Sequence, residues 1–150
     1  MGTFALRPAT ESDANAIARI HLAARQSAMP WLPAVHTEEE VRWFFAERVM
    51  RDCAVCVAEG SEVLGFCAFR DGWVDHLYVD PRAQGAGVGS ALLAKAMTGQ
   101  SSLHLWVFQR NQRAIRFYEA HGFRLVVQTD GRRNEEKEPD ALYDWVAGRD

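Results

Sequence analysis

Apolar and polar positions alternate from Thr3 to Arg7, and Pro8 closes the run, which predicts a short first strand. The period then changes. Ile17, Ile20, His21 and Ala24 recur at helical spacing behind a cap at Thr10 or Ser12. Met29-Pro30-Trp31-Leu32-Pro33 breaks that helix. Thr37 followed by Glu38, Glu39 and Glu40 has the form of a capping box. It predicts a second helix to about Met50 with Val41, Phe44, Phe45 and Val49 on its apolar face. Three strands follow at about 53–59, 62–70 and 73–79, separated by Gly60-Ser61 and Asp71-Gly72, as in an antiparallel meander. A helix from about 88 to 98, a strand at 103–108 and a helix from Asn111 to His121-Gly122 come next. Residues 123–129 and 142–146 give two last strands, and the charged stretch between them, 130–140, reads as a solvated loop or hairpin end. The pattern predicts one α+β domain over residues 1–150. Its sheet is mixed, mostly antiparallel and six- to seven-stranded, and four helices flank it.

The stretch Leu77-Tyr78-Val79-Asp80-Pro81-Arg82-Ala83-Gln84-Gly85-Ala86-Gly87-Val88-Gly89 joins an apolar strand to a helix through a glycine-rich loop. Alternating glycines let backbone N–H groups approach an anion, and the helix start adds unpaired N–H groups and the positive end of its dipole. Pyrophosphate suits such a cradle. The loop is G-x-G-x-G rather than the G-x-G-x-x-G of dinucleotide folds, and the following strand ends in Val107-Phe108-Gln109 without an acidic residue. The Gly-Lys-Ser/Thr of ATP-binding loops is absent too.

Gln84-Gly85-Ala86-Gly87-Val88-Gly89 resembles the Gln/Arg-x-x-Gly-x-Gly/Ala loop of the GCN5-related N-acetyltransferases (GNAT). A second block, Asn111-x-x-Ala114-x-x-Phe117-Tyr118-Glu119-x-x-Gly122-Phe123, is similar to that family independently, as is the order of elements. The resemblance implies an acetyl-CoA-dependent N-acetyltransferase acting on a primary amine. A small-molecule acceptor is the first expectation. A protein lysine or N-terminal amine, or a module that binds acyl-CoA without turnover, is the alternative. The resemblance assigns the pyrophosphate to Gln84, Gly85, Ala86, Gly87, Val88, Gly89 and Ser90, and the pantetheine arm to Leu77, Tyr78 and Val79. Asn111 would also bond the arm, or simply cap its helix. Tyr118 would protonate the departing thiolate, or serve as a core residue.

Strict alternation along 73–79 puts Trp73, Asp75, Leu77 and Val79 on one face and Val74, His76 and Tyr78 on the other. Asp75 among apolar neighbours would have a raised pKa and act as the base, directly or through water; a paired or solvated structural role is the other reading. A base is needed because an alkylammonium is neutral only about once in 2,500 molecules at pH 7. The parity of His76 aims it at helices or a partner strand. Trp31 and Trp106 are the acceptor-site candidates, and the 130–140 loop could instead border the acceptor entrance or a homodimer contact.

Composition removes some alternatives. Lys plus Arg number 17 against 20 Asp plus Glu, a net charge of −3, so nothing favours nucleic acid as a partner. No apolar run approaches the roughly 18 residues of a membrane span, and the N-terminal stretch lacks a signal-peptide layout, so a cytoplasmic chain is expected. Cys53, Cys56 and Cys67 are an odd count, and the first two fall on opposite faces of a strand, as structural thiols rather than a zinc pair; no metal is expected.

Overall fold

The structure, a computed structural model, describes residues 3–149; Met1 and Gly2, at the head of the N-terminal stretch, lie outside the described residues, as does Asp150. Seven strands form one sheet: β1 (Ala5–Pro8), β2 (Ala54–Glu59), β3 (Val63–Arg70), β4 (Trp73–Val79), β5 (Ser102–Phe108), β6 (Arg124–Gln128) and β7 (Asp140–Val146). Their order is β1-β2-β3-β4-β5-β7-β6, and every neighbouring pair is antiparallel except β4 and β5. Four helices flank the sheet. They are α1 (Ala14–Ala28), α2 (Glu38–Phe44, continued by a π turn at Phe45–Val49 and a last turn at Met50–Asp52), α3 (Val88–Met97) and α4 (Gln112–Ala120). This is the architecture that the periodicity predicts.

Two apolar layers hold the sheet. On one face Leu92, Leu93 and Ala96 of α3 pack on Cys56, Ala58, Cys67, Leu103 and Leu105. On the other, Ile17 and Ile20 of α1 and Phe45 and Val49 of α2 pack on Val57, Phe66 and Ala68. Each fully buried large side chain contributes about 2–3 kcal/mol of transfer free energy. Gly65 sets how closely α3 approaches the sheet: a Cβ there would meet the Tyr78 carbonyl oxygen at 2.9 Å and Val88 Cγ1 at 3.1 Å. The three thiols are dispersed as the strand parity implies, Cys53 against the α1 layer and Cys56 and Cys67 in the α3 layer.

Strict alternation fails at one point. Ala68 lies opposite His76 and Phe69 opposite Val74, so Asp75 is an extra residue, a β-bulge. Val74 therefore joins the α3 layer with Leu77 and Val79, instead of sharing a face with His76 and Tyr78. The π turn shifts α2 in a related way. Phe45 and Val49 are buried, but Phe44, expected on the apolar face, is 42% exposed beside Trp43 at 58%.

The parallel pairing of β4 with β5 is a single register pair, Trp73 with His104, supported by the His104 amide donating to the Gly72 carbonyl at 2.8 Å. Beyond it the strands part. The opening they leave is the site.

Candidate active site

A cleft of about 450 Å³ fills the gap between β4 and β5 and runs to the start of α3 and the inner side of α4. Leu77, Tyr78 and Val79 line its β4 wall; Gln84, Gly85, Gly87, Val88, Gly89 and Ser90 line its head. Asn111 and Tyr118, two turns apart on α4, line the opposite wall, as does Trp106 from β5. The loop and the α4 block, far apart in sequence, thus meet at one cavity. Ala86 belongs to the loop without lining the cleft.

The turn into the loop is anchored by Asp80, which is 3% exposed. Its carboxylate accepts from the Arg82 amide at 3.0 Å, from Arg82 Nη2 at 2.8 Å and from Arg19 Nη1 at 3.3 Å. Those bonds, Arg82's foremost, hold its pKa down to about 2. Sequence reasoning passed over Asp80, although Asp80-Pro81 is a turn signal.

Gly85 and Gly87 adopt φ of +85° and +83°, the left-handed region that other residues enter only with strain. A Cβ at either would meet nothing within 4 Å, so the constraint is the backbone and the space above it is open. Gly89 differs: it is ordinary helix, and its Cβ would touch Phe117 at 3.4 Å, so it serves the approach of α3 to α4. Among the described residues no acceptor meets the amides of residues 85–90. Residues 85 and 87–90 line the open cleft, and unpaired N–H groups at a helix start suit a diphosphate. The Ser90 hydroxyl is turned elsewhere. It donates to His121 Nε2 at 3.1 Å, because His121 Nδ1 donates to the Phe117 carbonyl at 2.8 Å.

Asn111 does cap α4: its Oδ1 accepts from the Ala114 amide at 3.3 Å. The Tyr118 ring packs edge-on against Phe117 and Phe123, and no protein partner among the described residues meets its hydroxyl. Burial pushes its pKa well above the usual phenol range, so it stays protonated.

Asp75 is not the desolvated carboxylate that alternation predicts. The bulge turns it toward Arg70, whose Nε and Nη2 donate to it at 2.6 and 3.3 Å, and Cys53 Sγ donates to it at 3.4 Å. It touches the cleft wall with both carboxyl oxygens bonded to Arg70. His76 follows the expected parity and faces the helices, its ring 5.1 Å from Phe45 and 6.1 Å from His21 between centroids. Burial lowers its pKa to about 4.

A second depression, a groove of about 770 Å³, opens between α1, α2 and the loop 130–139. Its walls include Leu22, Val41, Trp43 and Phe44, and it meets the cleft at Met29 and His76, which line both. The charged loop is not a free hairpin end. Glu136 accepts from Arg25 at 2.5 Å and Glu135 bonds His36 at 2.8 Å, which folds the loop over the groove. Trp31 lines neither cavity: the Arg110 guanidinium lies over its ring at 3.9 Å. Trp106 is 49% exposed at the cleft mouth.

Comparison with known proteins agrees with this geometry. The acetyltransferase (GNAT) domain family matches residues 51–125, half of the chain. The peptidyl-lysine N-acetyltransferase YiaC of Escherichia coli is 30% identical over 81% of this chain and 84% of its own length. The solution structure of apo YjaB from Escherichia coli superposes with a TM-score of 0.82 at 22% identity, covering 96% of this chain and 98% of that one. A coenzyme A complex of the PaiA N-acetyltransferase from Thermoplasma acidophilum superposes at 0.72 and 15% identity, over 96% and 99%. The chain belongs to the GNAT family of acetyltransferases, enzymes that draw the acetyl group from acetyl-CoA.

Proposed function

We propose that this chain acetylates the primary amine of a small molecule that enters through the α1–α2 groove. The observation that carries the reading is the row of unpartnered amides at residues 85–90, at the head of a cleft that leads to Tyr118 and meets the groove at His76. Bound acetyl-CoA supplies a thioester carbonyl for the amine to attack and a thiolate to leave.

The residues divide the remaining work. The amides of residues 85–90 bind the diphosphate, Gln84 precedes them in the loop, and Asp80 keeps the turn in place. Leu77, Tyr78 and Val79 border the arm along β4, whose β5 side has no ladder at that level. The Val79 amide is the family position for polarising the carbonyl. Asn111 orders the first turn of α4 and so fixes the stripe that carries Tyr118. Tyr118 holds the proton that the leaving sulfur takes, and the raised pKa of its hydroxyl keeps that proton at neutral pH.

A second reading, a lysine side chain of a protein as acceptor, is favoured by Val35, Trp43 and Phe44. These three apolar residues are each more than 40% exposed along the groove, and YiaC's name describes that activity in YiaC. Purified protein mixed with acetyl-CoA and a panel of small amines and lysine peptides separates the two by release of free thiol. Release with a small amine supports the first reading. Release with peptides alone replaces it with the second, and release with neither rejects both.

A further inference from the structure

Where the cleft meets the groove, the side chains of His21, His76 and Tyr78 stand together, and none of the three has a hydrogen-bond partner among the described residues. His21 is 7% exposed on α1, and its Nδ1 is buried with nothing to meet it. Leaving such a nitrogen unpaired costs about 1–3 kcal/mol, so its retention calls for a use. Its ring lies edge-on to Tyr78 at 4.7 Å and to His76 at 6.1 Å, between centroids. His76 lines both cavities, while His21 lines the groove alone. The two imidazoles therefore span the step from the groove to the reaction cleft. Asp75, the other candidate base, is held by Arg70.

We propose that His76 takes the proton of the incoming ammonium and that His21 passes it to water in the groove. The inference rests on the acetyltransferase reading and adds to it the group that activates the acceptor. An N–H bond of the ammonium breaks as one forms on the free nitrogen of His76, and the amine keeps the electron pair. The imidazolium gives the proton up toward His21, whose ring lies 6.1 Å away between centroids, and His21 releases it to the groove. Both rings end neutral.

Charges of both signs bear on His76. Asp75 on the same strand favours a charged His76, and Arg25 on α1 opposes it. Arg25 is itself paired with Glu136 of the loop, α2 brings the rings of Phe44 and Phe45 to His76, and Glu39 and Glu40 of α2 line the same groove. Burial keeps both histidines neutral at pH 7, so each offers a lone pair rather than repelling a cation.

The test compares wild type, His76→Gln, His21→Gln and the control His104→Gln, with acetyl-CoA and the amine or lysine peptide that releases most thiol. At pH 7 His76→Gln should lower kcat at least tenfold and His21→Gln about threefold or more, with the acetyl-CoA KM unchanged. Both deficits should shrink as the pH rises toward about 10, where the amine loses its proton unaided. A deficit equal at every pH, or no deficit, overturns the proposal and leaves the acetyltransferase reading standing. No thiol release by wild type on any acceptor removes that reading and this proposal together. Imidazole nitrogen resonances give an independent check that needs no acceptor. Both rings should be neutral at pH 7, and a fixed imidazolium at either position, which has no lone pair to take a proton, overturns the assignment.

Discussion

Arg70 grips Asp75 through two hydrogen bonds, Nε to Oδ2 at 2.6 Å and Nη2 to Oδ1 at 3.3 Å. The bulge makes the contact possible, because the extra residue turns the carboxylate out of the apolar layer. The pair is partly open to solvent, and such pairs contribute about 0–1 kcal/mol. Asp75→Asn is therefore expected to keep kcat within about threefold of wild type and to lower Tm slightly. A thiol-release assay at pH 7 checks it, and a loss of a hundredfold would restore Asp75 as the base.

Tyr118→Phe removes one hydroxyl and keeps the packing on Phe117 and Phe123. Turnover should fall at least tenfold while acetyl-CoA affinity barely moves. Because burial raises the phenol's pKa, it stays an acid across the working range, and wild type should show no loss of activity from Tyr118 ionisation below about pH 10. Unchanged turnover in the variant would remove the acid assignment.

Asn111 has two roles that substitution separates. Asn111→Ala should cost about 1 kcal/mol of stability through loss of the α4 cap, whereas Asn111→Ser should retain most of it. If Asn111 also bonds the cofactor arm, both variants weaken acetyl-CoA binding, and only the Ala variant lowers Tm. Equal melting temperatures for the two would show that the cap does not matter.

Acid stability should depend on the pairing of Arg7 with Asp13. Arg7 Nη1 and Nη2 donate to Asp13 at 2.8 and 3.0 Å, and the 8%-exposed carboxyl is held down to about 2. A depressed folded pKa stabilises the protein above the unfolded value of 3.8, and that contribution is lost as pH falls toward 2. It amounts to roughly 2 kcal/mol. Urea midpoints measured between pH 5 and 2 should fall more steeply in wild type than in Arg7→Met; parallel curves would contradict the assignment.

The sheet, the helices and the glycine loop were legible in the sequence because each rests on a local signal. Such signals are an alternating run, a capping box at Thr37 and Glu40, or glycines where φ must be positive. What escaped depends on residues distant in the chain. The bulge at Asp75 is invisible to periodicity, since one extra residue leaves the apolar pattern of 73–79 intact while reversing the direction of Val74. His21 falls at helical spacing with Ile17 and Ile20; only the packing of α1 on β4 sets it beside His76. Trp31 looked like a site residue because it sits between two prolines, yet Arg110 from the far side of the chain covers it. The groove is likewise non-local, closed by Glu135 and Glu136 across α1 and the segment before α2.

The most direct test of the account is a calorimetric titration of acetyl-CoA into wild type and Gly87→Glu. Position 87 has a φ of +83° and open space above it, so the substitution costs about 1–2 kcal/mol of backbone strain, sets a carboxylate over the cradle and leaves the fold intact. Saturable binding by wild type, abolished in a variant whose circular dichroism is unchanged, is the predicted result. Equal affinity in the two proteins, or no binding by wild type, would contradict the claim that the amides of residues 85–90 hold the cofactor's diphosphate.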